Sequence, residues 1–306
     1  MITMNTLLKN NKIAIVLILL IVASLTYYAN NTKPPEQTVQ LIPVDSITHG
    51  HGLAVDVKDD SRLYIATHHG LLVLKNDKEL YRLGSSKDDY MGFSPHPVES
   101  NVFLSSGHPI SGGNIGFQKS ADGGFTWTKV SNGVNGPVDF HAMAVSPANP
   151  KIIYGWYQGA IQRSDDGGAN WSIVSKDILA VQLTAHPTDE NIVYATTPNG
   201  RGVLISKDKG MMWESLSSAL ENGQVAVIAI DRTEPNQMLV YAQTQEGLAK
   251  SEDGGKTWSK IPERFGGETV LYIAYSPHGH NTIYILTHKN SIYKSTDGGN
   301  AWNKIL

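Results

Sequence analysis

The chain contains no cysteine in 306 residues, which excludes disulfides, thiolate zinc sites, iron–sulfur ligation and lipid attachment through sulfur. Charged side chains are few, at 17%, while glycine occurs 29 times, a balance that favours turn-rich β structure over helix. A basic surplus is also missing. Lys9 and Lys12 are the only charged residues among the first 32, and removing them from the 25 basic residues leaves 23 against 28 acids. Such a surface gives no electrostatic reason to bind nucleic acid. No nucleophile elbow is present, and every glycine cluster is accounted for by a turn.

One long apolar run is present. It extends from Ile13 to Ala29, broken only by Ser24 and Thr26, and follows the two lysines. As a helix it would reach roughly 25 Å, at the short end of what spans a bilayer core. The positive flank predicts that residues beyond Ala29 lie outside the cytoplasm, so residues 1–29 read as a single-pass membrane anchor. A cleaved signal peptide, giving a secreted protein, is the alternative. Tyr27 occupies a position where cleavage wants a small side chain, which favours the retained anchor. Residues 30–40, with Pro34 and Pro35, read as a polar tether.

Beyond the tether the chain repeats itself. SADGGFTW (Ser120–Trp127), SDDGGANW (Ser164–Trp171), SKDKGMMW (Ser206–Trp213), SEDGGKTW (Ser251–Trp258) and STDGGNAW (Ser295–Trp302) share one pattern, with tryptophans 44, 42, 45 and 44 residues apart. A worn copy, Leu74–Tyr81, places Tyr81 46 residues before Trp127 and makes six units, near 41–83, 84–130, 131–174, 175–216, 217–261 and 262–306. Each unit has room for four short strands, and four strands at this period predict an all-β, six-bladed propeller. Six blades use nearly all of the chain after Gln40, leaving no room in it for a second domain. Two details of ring closure stay open: the last strand, 303–306, is short, and Val39–Val44 is placed to add to the final blade.

The motif S-x-D-x-G-x-x-W is that of the Asp-box (BNR) repeat, and the chain resembles the Asp-box propellers: sialidases, sortilin-type receptors, xyloglucan-specific hydrolases and a photosystem assembly factor. HGHGLAVD (49–56), ATHHGLL (66–72) and DFHAMAVSP (139–147) are similar to segments of bacterial exported propellers loosely labelled glycosyl hydrolases. The resemblance implies the fold; receptors, scaffolds and enzymes all use it. It also implies that Asp122, Trp127, Asp166, Trp171, Asp208, Trp213, Asp253, Trp258, Asp297 and Trp302 are structural. The residues agree, since paired glycines permit positive φ, Asp and Ser accept turn amides, and Trp wedges between strands. One acid per unit, spread around a ring, cannot converge on a single ion.

With the boxes assigned to scaffold, the repeat register becomes a map. His96, His186, His278 and His280 fall in the turn after each first strand and read as exposed turn residues. The other seven, His49, His51, His68, His69, His108, His141 and His288, fall on the opposite, loop face, in units six, one, two and three. Strand alternation predicts that His49 and His51 project together, as do Asp139 and His141, with Asp89 between the pairs at the channel mouth. His49, His51, Asp139 and His141 are therefore the predicted ligands of one transition metal, Zn²⁺ or Cu²⁺, or else Fe²⁺. The bland alternative is a watered channel mouth whose histidines bond backbone.

Two further readings concern the same face. Asp89, Asp139, Glu246 and Glu268 are candidate carboxylates for glycoside hydrolysis, and Trp156 with Tyr157 is a candidate platform for a glycan or protein ligand. The six arginines do not recur in channel-facing slots, so the three-arginine pocket of a sialidase is not predicted. The expectation is a membrane-displayed propeller binding a ligand on its loop face, with a glycoside hydrolase as the alternative.

Overall fold

The computed structural model describes residues 40–306 other than 177, 243–246 and 280. The predicted membrane segment, together with Glu246 and His280, lies outside the described residues. Among the described residues no helix is long and apolar enough to cross a membrane.

Six antiparallel sheets follow one another along the chain. Running from the inner to the outer strand, blade 1 consists of Gly50–Val55, Arg62–Thr67, Gly70–Lys75 and Glu79–Leu83. Blade 2 has Asp89–Pro95, Phe103–His108, Phe117–Ser120 and Thr128–Ser131, and blade 3 has Ala142–Val145, Ile153–Tyr157, Ala160–Ser164 and Ser172–Ser175. Blade 4 has Gln182–Ala185, Val193–Thr196, Val203–Ser206 and Glu214–Ser215. Val225–Ile230, Met238–Ala242, Gly247–Ser251 and Ser259–Ile261 form blade 5, and Val270–Tyr275, Ile283–Thr287, Ile292–Ser295 and Asn303–Lys304 form blade 6. The inner strands line a central channel.

The core is divided into six apolar clusters, each shared by two neighbouring blades. Sheets covered on both faces need such a layer in every gap, which explains why middle strands such as Leu71–Leu74 are apolar at successive positions. The box tryptophans fill the gaps one by one. Trp127 packs between blades 1 and 2, Trp171 between 2 and 3, Trp213 between 3 and 4, Trp258 between 4 and 5, and Trp302 between 5 and 6. The worn box of blade 1 has no tryptophan to offer, and Val44, Leu80, Ile305 and Leu306 fill the joint between blades 6 and 1 instead.

Ring closure differs from the sequence expectation. Leu41–Pro43 pairs with Glu79–Leu83, as a fifth strand on the outer edge of blade 1, rather than adding to the final blade. Backbone bonds continue the register at both ends, Gly84 N to Gln40 O at 3.2 Å and Val44 N to Leu80 O at 3.1 Å. The extra strand covers the edge of the blade whose box has eroded. Blade 6 takes all four strands from the C-terminal stretch and meets blade 1 through side chains. Lys294 Nζ reaches Asp77 Oδ2 at 2.6 Å, and Gly50 N donates to Asn290 Oδ1 at 3.2 Å.

All five full boxes have the expected turn. Ser Oγ donates to Asp Oδ1 at 2.8 Å in each, and Oδ1 accepts a backbone N–H three or four residues on. Each indole Nε1 donates to the carbonyl of the box's second glycine, at 2.9–3.2 Å. Each carboxylate is engaged by its own turn, as a scaffold residue should be.

A second recurring device sits in the turn after each first strand. Asp56, His96, Ser146, His186, Asp231 and Ser276 occupy equivalent positions, and each side chain accepts backbone N–H groups two or three residues on. His96 and His186 do this through Nδ1, which requires an unprotonated nitrogen. Burial holds both imidazoles below their ordinary pKa. Their folded values lie below the unfolded value of about 6.5, so the stability they contribute is complete above that pH and is lost as pH falls through the folded values. A His96→Asp/His186→Asp variant, imitating Asp56 and Asp231, should lose less of its urea midpoint between pH 7.5 and 5.5 than the parent. An equal loss in both proteins would remove this role.

Candidate metal centre at the channel mouth

The loop face of blades 1–3 gathers five histidines and two aspartates, and local backbone features explain how. In blade 1, Gly50 pairs with Thr67 but Gly52 with Ala66, so His51 is the extra residue of a β-bulge. Bulges re-aim a side chain that regular pleating would send elsewhere. His49 adopts a left-handed conformation, φ +49°, just before the strand. The two rings do lie together, with centroids 5.0 Å apart, through this bulge and twist rather than through simple alternation. His68, from the turn after the second strand, completes the group at 4.6 Å from His49 and 4.0 Å from His51.

Asp89 begins blade 2 and lies opposite His108 in the ladder. Gly107, at φ +125°, lets the two strands approach closely here, since a Cβ on it would fall 2.0 Å from the Asp89 carbonyl oxygen. Asp139 and His141 flank Phe140, which is wholly buried and held by Ser106 of blade 2 (Phe140 N to Ser106 Oγ, 2.7 Å). Burying the central residue fixes its two neighbours at the mouth.

The polar contacts divide the set into two groups. One nitrogen from each of His49, His51 and His68 lies within 4.8 Å of the others. Asp89 joins this group, with Oδ2 2.5 Å from His68 Nδ1 and Oδ1 3.7 Å from His51 Nε2. The second group is His108, Asp139 and His141, again within 4.8 Å. There both imidazoles present Nε2 to the same atom, Asp139 Oδ2, at 2.9 and 2.8 Å. His108 Nδ1 already donates to the Gly113 carbonyl at 3.0 Å.

Burial sharpens the picture. Asp139 is 3% exposed and Asp89 9% exposed, yet Asp139 Oδ1, Asp89 Oδ1 and His51 Nε2 have no hydrogen-bond partner among the described residues. Leaving such atoms unpaired costs about 1–3 kcal/mol each, more for a charge. Burial and the neighbouring His68, His49 and His141 push the His51 imidazole down to about 3, so it is neutral at physiological pH. His141 is raised by its bond to Asp139.

The remaining candidates are placed differently. His69 lies beside His68, ring centroids 6.5 Å apart, in a shallow pocket with Lys87 and His108. His288 stays within blade 6, its Nδ1 accepting the Thr269 N–H at 2.9 Å. Glu268 is bonded by the Thr287 hydroxyl at 2.5 Å. Burial would raise its pKa, but the Thr287 and Ser291 hydroxyls hold it below the ordinary value. Trp156 is half-buried, its Nε1 donating to the Ile178 carbonyl at 2.7 Å and its ring packed between blades 3 and 4. Tyr157 accepts from Asn114 Nδ2 at 2.7 Å and packs between blades 2 and 3. His278 is exposed, as read, and its Nε2 also meets the Asp56 carbonyl across the closing joint at 3.0 Å, whereas His96 and His186, read as exposed, are half-buried.

Comparison with known proteins agrees with this architecture. The sortilin family ("Sortilin, neurotensin receptor 3") matches residues 246–306. A xyloglucanase of Hypocrea jecorina is 24% identical over 208 residues, covering 59% of this chain and 22% of that enzyme. The chain therefore spans about a fifth of that relative. Among solved structures, a GH74 enzyme of Niastella koreensis superposes with a TM-score of 0.55 at 17% identity, over 83% of this chain and 46% of its own. YCF48 bound to a D1 peptide superposes at 0.54 and 15% identity, over 87% and 84%. At these identities the structural likeness establishes the fold alone. The chain is a six-bladed Asp-box propeller, consistent with the sialidase-like (BNR-repeat) propeller superfamily.

Proposed function

We propose that this propeller is a metal-binding module displayed outside the cytoplasm, tethered by its N-terminal apolar segment, with a transition metal held in the His/Asp mouth of its channel. The observation that carries the reading is the gathering of five imidazoles, four of them facing one of two buried aspartates that each keep an unpartnered oxygen. Imidazole and carboxylate together suit Zn²⁺ or Cu²⁺. A neutral His51 is ready to donate a lone pair.

A protein or glycan ligand is the natural partner of such a face. YCF48, a propeller of similar length, binds a peptide, and the sortilin match lies in a receptor family. Glycoside hydrolysis is the second reading, favoured by the xyloglucanase likeness. It asks for a carboxyl kept protonated as general acid. Glu268 is shifted the other way, and Asp89 and Asp139 are engaged by imidazoles.

The test is metal content. Purified protein loaded with Zn²⁺ or Cu²⁺ and desalted should retain metal, and a His51→Ala/His141→Ala variant should retain almost none. Parent protein that keeps no metal sinks the proposal. Release of sugar from xyloglucan by metal-free protein would favour the hydrolase.

A further inference from the structure

We infer that the mouth holds two metal ions in two separate sites, one in the triad His49, His51 and His68 and one in the triad His108, Asp139 and His141. This rests on the metal reading above and deepens it. The sequence suggested one ion shared by His49, His51, Asp139 and His141. The geometry divides those four residues between two groups and recruits His68 and His108 to complete them.

Three features support two ions. Each triad is compact, with potential ligand atoms within 4.8 Å, whereas ligands on a tetrahedral first-row ion lie about 3.4 Å apart. The adjustment needed is small for the exposed rings of His49, His68 and His141. The buried oxygens are also divided between the groups. Asp89 Oδ1 faces His51 Nε2 at 3.7 Å, and both atoms lack a partner, while Asp139 Oδ1 is unpartnered in the other group.

The third feature is a conflict of lone pairs. His108 commits Nδ1 to the Gly113 carbonyl, so Nε2 is the nitrogen left to face the Asp139 oxygen 2.9 Å away, and an Nε2 without a proton aims its lone pair at that oxygen. Two electron-rich atoms at that distance repel unless a cation lies between them. A metal ion bound by His108 Nε2 and the carboxylate resolves the clash there, and His141 Nε2, 2.8 Å from the same oxygen, completes the ligand set.

The two donor sets differ in character. The first offers three nitrogens with Asp89 bonded to His68, the arrangement in which an outer carboxylate orients a ligating imidazole. The second offers two nitrogens and a carboxylate. With three protein ligands each, both sites leave a coordination position for water or an exogenous ligand. The first, richer in nitrogen, suits Cu²⁺ better than the second.

Titration with Co²⁺, followed by its visible absorption and by metal analysis after desalting, distinguishes the outcomes. The expected result is two equivalents in the parent, one in His68→Ala and one in His108→Ala. Both substitutions lie at partly exposed positions, and unchanged thermal unfolding of the apo-proteins checks that each still folds. One equivalent in the parent overturns the two-ion inference and leaves the metal reading standing. No bound metal overturns both, and a proton then occupies the place between His108 and Asp139.

Discussion

Replacing Gly168 with alanine should destabilise the propeller by roughly 3 kcal/mol or more, whereas Gly167→Ala should cost only about 1 kcal/mol. The two glycines are adjacent in the box of blade 3 and have similar backbones, φ +78° at Gly167 and +91° at Gly168. Their surroundings are opposite. A Cβ at Gly167 meets nothing within 4 Å, while one at Gly168 falls 2.0 Å from the ring of Phe117, which is wholly buried. The Gly168 carbonyl also receives Trp171 Nε1 at 3.0 Å and Ser131 Oγ at 2.6 Å, so the turn cannot shift without loosening the joint between blades 2 and 3. Blade 4 has already made the milder exchange. Lys209 stands in the first glycine's place at φ +60°, and Gly210 keeps the second. Urea unfolding of the two variants checks this. Equal losses would mean that backbone strain, not the approach of Phe117, fixes the second glycine.

Asp139→Asn should weaken binding at the second site about 100-fold, because it removes the anionic ligand while keeping the shape of the side chain. The effect can be read as stability. Zinc at 100 times the parent's dissociation constant for that site stabilises the folded state by about 2.7 kcal/mol, and a 100-fold loss of affinity leaves about 0.4 kcal/mol at the same concentration. Thermal unfolding with and without zinc, in parent and variant, gives both values. A variant stabilised by zinc as strongly as the parent would show that Asp139 is not a ligand.

Much of the fold was legible because the repeat is explicit. The tryptophan spacing sets the blade period, and the aligned boxes assign each segment to the channel or the rim. The same register brings His49, His51, Asp89, His108, Asp139 and His141 to one face. The partition of that face was not legible. It depends on the bulge at His51, the left-handed backbone at His49 and the clamp of Ser106 on Phe140, and none of these has a local sequence signature. The pairing of Leu41–Pro43 with blade 1 was not legible either, since every blade ends on an outer strand with a free edge and no local sequence feature says which edge is taken.

One further signal is present in the sequence. Asp56, His96, Ser146, His186, Asp231 and Ser276 recur at one slot, and every one is a side chain able to accept a turn amide. Aligning the six units on that slot would have found the cap. Trp156 and Tyr157 suggested a ligand platform, but Trp156, next to last in its strand, packs against blade 4, where a large ring is also what the gap between blades needs.

The most direct test of the metal centre is anomalous diffraction from crystals of the protein soaked in Zn²⁺, with data collected on both sides of the zinc edge. The account predicts two anomalous peaks at the channel mouth, one bounded by His49, His51 and His68 and the other by His108, Asp139 and His141. Zinc-soaked crystals with no anomalous density at either group, and only water between the imidazoles and the two aspartates, would contradict it.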